Sequence, residues 1–263
     1  MRKRGSGPGR TAFVWEYVLL SMDHVLMNPR TVLISGGARG LGAALVKRCL
    51  ADGHRVSVGA RTPRAVHDAF PDAAPDHLHA YHFDAEDPQS ASVWVESTVA
   101  NMGPPDALIN NAGILRMVNF DKGTEDDLDA MWQVNVKGPF RLIKAALPHL
   151  RASGNGRVIN IASTDAKRYR DASVSLGYVI TKQALLSMTT AARFAGWDDG
   201  LRATAICPGA IDTGMIANLP GVTPKAQRLQ PEDVAEIASL LLKLPNQASV
   251  PEIVVNTRLE STI

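Results

Sequence analysis

The chain has only two cysteines among its 263 residues. Cys49 and Cys207 each sit inside an apolar segment ("KRCLADG", "AICPGA"), which excludes a disulfide framework and predicts a reducing, cytoplasmic setting. Charge of one sign is equally scarce, because 28 Lys and Arg against 26 Asp and Glu leave a formal net charge of +2. So small an excess argues against a nucleic-acid partner, and the basic cluster "MRKR" at the N-terminus holds too few charges to reverse that. Long hydrophobic runs are missing too. The apolar stretch near the N-terminus is broken by Glu16 and is followed by no small-residue cleavage site, so neither a signal peptide nor a membrane anchor is expected. Residues 1–28 read as a disordered leader, within which Met22 and Met27 are alternative starts. What remains, 45% hydrophobic and 21% charged overall, is the composition of an ordinary globular protein. Its length predicts one α/β domain over residues 29–263.

From residue 31 onward, short β-branched or apolar runs alternate with stretches of helical period. "TVLIS", "RVSVGA", "LHAYHFD", "DALINNAG", "GRVINIAS", "LRATAICPG" and "PEIVVN" read as strands buried on both faces of a parallel sheet. Residues 38–53, 90–102, 124–154, 177–197 and 230–244 read as helices. Gly53, Gly154 and Gly200 stand where helices should end, and Thr124 with Asp127, and Pro231 with Glu232, where they should begin. Such alternation predicts βαβ units in a doubly wound parallel sheet with helices on both faces.

Between the first strand and the first helix lies "ISGGARGLG". Glycines there let backbone N–H groups and a helix N-terminus face a pyrophosphate. The spacing is G-x-x-x-G-x-G over Gly36, Gly40 and Gly42. With "NNAG" at 110–113, "YVITK" at 178–182 and "CPGAIDT" at 207–213, the chain resembles the short-chain dehydrogenase/reductase family from about Pro29 to its end. That resemblance implies a single Rossmann-type domain, a nicotinamide cofactor, and an oxidoreductase that interconverts a ketone or aldehyde and an alcohol. It also implies a homodimer or homotetramer, since the helices carrying Asn135 and Tyr178 commonly pair across subunits in the family.

The cofactor positions implied are Gly36, Arg39, Gly40, Leu41 and Gly42 at the pyrophosphate, and Asp84 and Ala85 beside adenine. Asn111, Ala112 and Gly113 fall beside the adenosine ribose, and Pro208, Gly209, Ile211 and Thr213 near the nicotinamide carboxamide. An acid at the end of the second strand would hold the 2′-OH of NAD. Here Ala60 occupies that place and Arg61 follows it. Arg61 and Arg39 can offer planar, charge-assisted hydrogen bonds to a 2′-phosphate, so NADP is expected and NAD less so.

Tyr178 and Lys182 lie four apart on one helical face. The resemblance makes Tyr178 the proton donor in reduction and the base in the reverse direction. It makes Lys182 the group that binds the nicotinamide ribose and lowers the tyrosine pKa. Ser163 would hydrogen-bond the substrate carbonyl, and Asn135 would steady its helix and a water joined to the lysine. Tyr178 and Lys182 therefore count among both the catalytic and the cofactor-binding residues. The alternative from another class is a catalytically idle NADP-binding redox sensor or interaction protein.

Fifteen positions separate Ser163 from Tyr178, about two more than is usual in the family. The loop between them carries Lys167, Arg168 and Arg170, which reads either as a solvated charged loop or as a flank for an anionic substrate. His77, His79 and His82 crowd one strand, yet they lack a convincing fourth ligand for zinc, so no metal is expected.

Overall fold

The structure, a computed structural model, describes residues 29–257 apart from residue 218 and residues 220–222. The expected leader over residues 1–28 lies outside the described residues. Seven strands, β1 (Thr31–Ser35), β2 (Arg55–Ala60), β3 (Leu78–His82), β4 (Ala107–Asn110), β5 (Arg157–Ile161), β6 (Arg202–Pro208) and β7 (Glu252–Val255), form one sheet. Its order is β3-β2-β1-β4-β5-β6-β7 and every neighbouring pair is parallel. The helices are α1 (Gly40–Ala51), α2 (Pro63–Ala69), α3 (Ser90–Met102), α4 (Glu125–Trp132), α5 (Gly138–Ala152), α6 (Leu176–Gly196) and α7 (Pro231–Lys243).

Side chains alternate across a strand, and the core divides accordingly. Val32, Ile34, Val58, Ile109 and Ile159 pack with α1 and α7 on one face, while Leu33, Leu108 and Val158 pack with α3 and α5 on the other. Chain order reverses between β1 and β4, which opens a crevice beyond the C-terminal ends of those strands. The pattern legible in the sequence is thus the observed doubly wound Rossmann-type sheet.

Trp94 on α3 keeps the second face tight. It has no exposed surface, donates from Nε1 to Ser57 Oγ at 2.9 Å, and packs its ring 5.2 Å from that of Phe83. A Cβ on Gly59 would lie 2.5 Å from the Trp94 ring, so the strand lacks a side chain where the indole sits. Trp94→Ala should cost about 3–5 kcal/mol of stability in urea denaturation. A loss below about 1 kcal/mol would show that the site collapses around the smaller residue.

The helix expected over residues 124–154 is in fact three pieces. Thr124 and Asp127 form the expected capping box and α4 runs to Trp132. A π-turn then occupies Gln133–Lys137, closed by the Gly138 N–H bonding the Gln133 carbonyl five residues back, and α5 follows. Pro139 supplies the reason: it has no N–H for the Asn135 carbonyl, and its ring crowds the carbonyl four residues before it. One extra residue in the turn relieves both problems.

Candidate active site

The glycine loop follows β1 directly. Gly36 has φ +76° and donates its N–H to the Gly59 carbonyl at 2.8 Å, which ties the loop to the end of β2. A Cβ on Gly42 would come within 1.9 Å of the Gly36 carbonyl oxygen, so the loop closes against the first turn of α1 only because glycine is there. Arg39, extended at the N-cap, makes no side-chain cap, and the first turn of α1 holds no acid. By contrast, Thr124 and Ser175 cap α4 and α6. The first-turn N–H groups of α1 therefore lack a side-chain acceptor, an arrangement that fits a pyrophosphate.

Opposite this turn, Asn111 Nδ2 donates to the carbonyls of Ser35 at 2.9 Å and Gly36 at 3.0 Å. Ser35 Oγ accepts from the N–H groups of Asn111 and Ala112, each at 3.0 Å. A Cβ on Gly113 would lie 3.3 Å from Asn135 Oδ1 and 3.7 Å from Lys182 Nζ, which places this glycine against the catalytic candidates. After β3, Asp84 accepts the Glu86 N–H at 3.0 Å, and the carbonyl of buried Ala85 accepts from Arg141 on α5 at 2.6 Å. Beyond β6, the Gly209 N–H bonds Val255 and Ile211 bridges to Leu229. The chain then brings Thr213 to 3.4 Å from a Cβ built on Gly40.

Asn135, Ser163, Tyr178 and Lys182 are all buried in one place. Asn135 faces inward from the π-turn. Its Oδ1 accepts the Ile114 N–H, and its Nδ2 donates to the Ile114 carbonyl and to Thr181 Oγ1. Thr181 in turn donates to the Tyr178 carbonyl at 2.8 Å, so the asparagine is linked to the tyrosine's own helix turn. Lys182 Nζ donates to the Ile161 carbonyl at 2.7 Å and stands 5.5 Å from the Tyr178 ring centroid. Ser163 Oγ accepts the Asp165 N–H at 3.1 Å, which leaves its own proton free to donate.

Burial governs the titration of this pair. Loss of water, and after it the Asp165 carboxylate, push the Tyr178 phenol well above its ordinary value, while its hydrogen bond with Ser163 acts the other way. Burial also draws the Lys182 ammonium down to about 8. In the protein without cofactor, burial and Asp165 thus set the direction of the Tyr178 shift, opposite to the lowering expected from Lys182 and a bound nicotinamide.

Three residues that the sequence reading passed over support this set. Ser35 fastens the NNAG segment as described. Ser175 accepts the Tyr178 N–H at 3.2 Å and donates to the Arg116 carbonyl at 2.6 Å, which fixes the start of α6 against the loop after Gly113. Thr181 is the third. A serine three residues before the helical tyrosine is a sequence signal for an N-cap, whereas the contacts of Ser35 and Thr181 span separate elements.

The basic side chains divide into two groups. Lys167 bonds Glu252 on β7 at 2.8 Å, and Arg170 bonds Asp171 at 2.9 Å and Ser173. These two basic loop residues thus have protein partners. The Arg39 and Arg61 side chains, exposed beyond β1 and β2, make no hydrogen bond or ion pair with the described residues. The strand histidines also part company: His79 stacks on Tyr81 while His82 turns to the Arg61 carbonyl. No group of three or more His, Cys, Asp or Glu side chains suited to a metal occurs among the described residues, and no helix among them is long and apolar enough to cross a membrane.

A doubly wound sheet with an uncapped glycine-rich helix start and a buried Tyr/Lys/Ser/Asn set defines a dinucleotide-binding oxidoreductase. A family profile described as short chain dehydrogenase matches residues 30–221, and the chain belongs to that family. It is 38% identical over 221 residues to an agropine synthesis reductase of Rhizobium rhizogenes, covering 84% of this chain and 50% of that protein. The chain therefore spans about half the length of that relative. Among solved structures, it is similar to an alcohol dehydrogenase of Thermococcus sibiricus complexed with 5-hydroxy-NADP. There the TM-score is 0.78 and the identity 26%, covering 89% of this chain and all of that one. A 3-ketoacyl-(acyl-carrier-protein) reductase of Brucella melitensis complexed with NADH gives a TM-score of 0.78 at 24% identity, covering 88% and 97% of the two chains. That second likeness concerns the fold alone.

Proposed function

We propose that this chain, as a single domain over residues 29–263, is an NADP(H)-dependent enzyme that interconverts a ketone or aldehyde and an alcohol. The observation that carries the reading is the convergence of Tyr178, Ser163, Lys182 and Asn135 next to Gly113. The nicotinamide of the bound cofactor supplies or accepts the hydride. Ser163, its oxygen already engaged by the Asp165 N–H, donates its proton to the substrate oxygen and polarises the carbonyl. Tyr178 gives its proton to that oxygen as the alcohol forms, and takes it back in oxidation. Lys182, held by the Ile161 carbonyl, binds the nicotinamide ribose, and Asn135 with Thr181 keeps the Tyr178 turn in place. The remaining cofactor roles follow the order of the motifs: Gly36, Gly40, Leu41 and Gly42 at the pyrophosphate, Asp84 and Ala85 at adenine, and Asn111 to Gly113 beside the ribose. Pro208, Gly209, Ile211 and Thr213 border the carboxamide.

The guanidinium groups of Arg39 and Arg61, unpartnered among the described residues, with Ala60 in place of an acid, support selection of a 2′-phosphate. Arg39→Ala and Arg61→Ala should each raise KM for NADPH about 5- to 50-fold, from the loss of one charge-assisted hydrogen bond, with little effect on KM for NADH. The decisive experiment on the activity is a panel of ketones, aldehydes and alcohols followed by NADPH absorbance. Turnover that requires a carbonyl is expected. Binding of NADPH without consumption in any carbonyl's presence would instead favour the redox sensor.

Assembly as a homodimer or homotetramer is part of the same reading. Phe140 on α5 is 56% exposed and Phe194 on α6 is 83% exposed, apolar surface that a second copy would cover. Light scattering after gel filtration should report a mass of at least two chains, and Phe194→Asp should lower it. The two buried free thiols, Cys49 and Cys207, suit a cytoplasmic site of action.

A further inference from the structure

At the C-terminal edge of the sheet, β2 and β3 end side by side, and Ala60 is in register with His82. Arg61 follows immediately, in the turn that leads through Thr62 into α2. His82 Nδ1 lies 3.1 Å from the Arg61 carbonyl oxygen, across 21 residues of sequence. A carbonyl can only accept, so Nδ1 carries the proton and the imidazole is the donor. Thr62, at the N-cap of α2, makes no side-chain cap. Among the described residues, the imidazole is therefore the side chain that fastens this peptide. Arg61 has no partner for its own guanidinium among the described residues, so the reach of its long flexible side chain depends on where the turn sets its backbone.

We propose that His82 is a positioning residue for cofactor choice: its Nδ1–H holds the Arg61 peptide at the angle from which the guanidinium meets the 2′-phosphate of NADPH. The inference rests on the NADP reading given above. It requires no contact between the imidazole and the cofactor.

Dissociation constants for NADPH and NADH, measured by fluorescence titration without substrate, test it. Wild-type protein should bind NADPH more tightly. His82→Leu, which loses one hydrogen bond, should weaken NADPH binding about 3- to 10-fold and leave NADH binding within about twofold. His82→Asn can place an amide N–H where Nδ1–H now stands and should retain the NADPH affinity. His82→Gln carries the donor past the carbonyl and should behave as leucine. In an Arg61→Ala background, His82→Leu should have no further effect, since the two act as one unit in a double-mutant cycle.

Equal weakening of both cofactors, an unchanged NADPH constant, or an undiminished effect without Arg61 would each overturn the role of His82. Circular dichroism of each variant distinguishes these results from unfolding, and should leucine fail to fold, glutamine in the same series decides. A wild type without NADPH preference overturns the NADP reading and this inference together. A wild-type preference that survives both leucine and glutamine overturns the inference alone.

Discussion

Replacing Tyr178 by phenylalanine should lower kcat for carbonyl reduction by about 10²–10⁴-fold, the usual contribution of a positioned general acid. The substitution removes one hydroxyl from a side chain that is 8% exposed, so the ring can stay where it packs and the NADPH dissociation constant should hold within about twofold. Direction of reaction adds a second reading. Burial and Asp165 keep the phenol protonated, which suits a proton donor, so reduction should persist through neutral pH. Oxidation needs the phenolate, and its kcat/KM should rise with pH. A Tyr178→Phe protein with undiminished turnover would remove the tyrosine from the chemistry and require another proton donor at the substrate oxygen.

Gly42→Ala is the second large effect expected. The new methyl group would sit 1.9 Å from the Gly36 carbonyl oxygen and 2.7 Å from Asn111 Nδ2. Neither neighbour can retreat freely, because Gly36 is bonded to Gly59 and Asn111 holds two carbonyls of the same loop. Relief must come from moving the loop off the start of α1. Overpacking of this kind costs about 1–3 kcal/mol or more, which, placed on cofactor binding, means an NADPH constant weakened about 10- to 100-fold. Unchanged NADPH affinity in a folded Gly42→Ala protein would show that the pyrophosphate is not held here.

Much of the architecture was legible because its signals are local. β1, β2 and α3 fall on the residues expected, since β-branched runs and helical period report burial directly. Gly53, Gly154 and Gly200 have φ values of +80°, +65° and +77° at the ends anticipated for helices. α2 escaped notice: it has seven residues with only Val66 buried, too few for an apolar period to emerge. The π-turn was written in "NVKGP" but shows only when one asks which carbonyl Pro139 deprives of a partner. At the site, the Tyr178–Lys182 spacing is a property of sequence. The upward shift of the tyrosine is not, because it depends on how many segments close over the ring.

The π-turn has a consequence for any effort to make this protein hardier. Pro139 is a poor residue for the middle of a helix, and replacing it would favour a regular helical turn between α4 and α5. A library screened for thermal tolerance alone should therefore gather substitutions at this position, whereas at Gly138 a Cβ would lie 2.8 Å from that of Ala85. The same substitutions would swing Asn135 away from Ile114 and Thr181, so the hardiest survivors should be slow enzymes. Directed evolution of this chain would need selection for turnover in every round to keep that irregular turn.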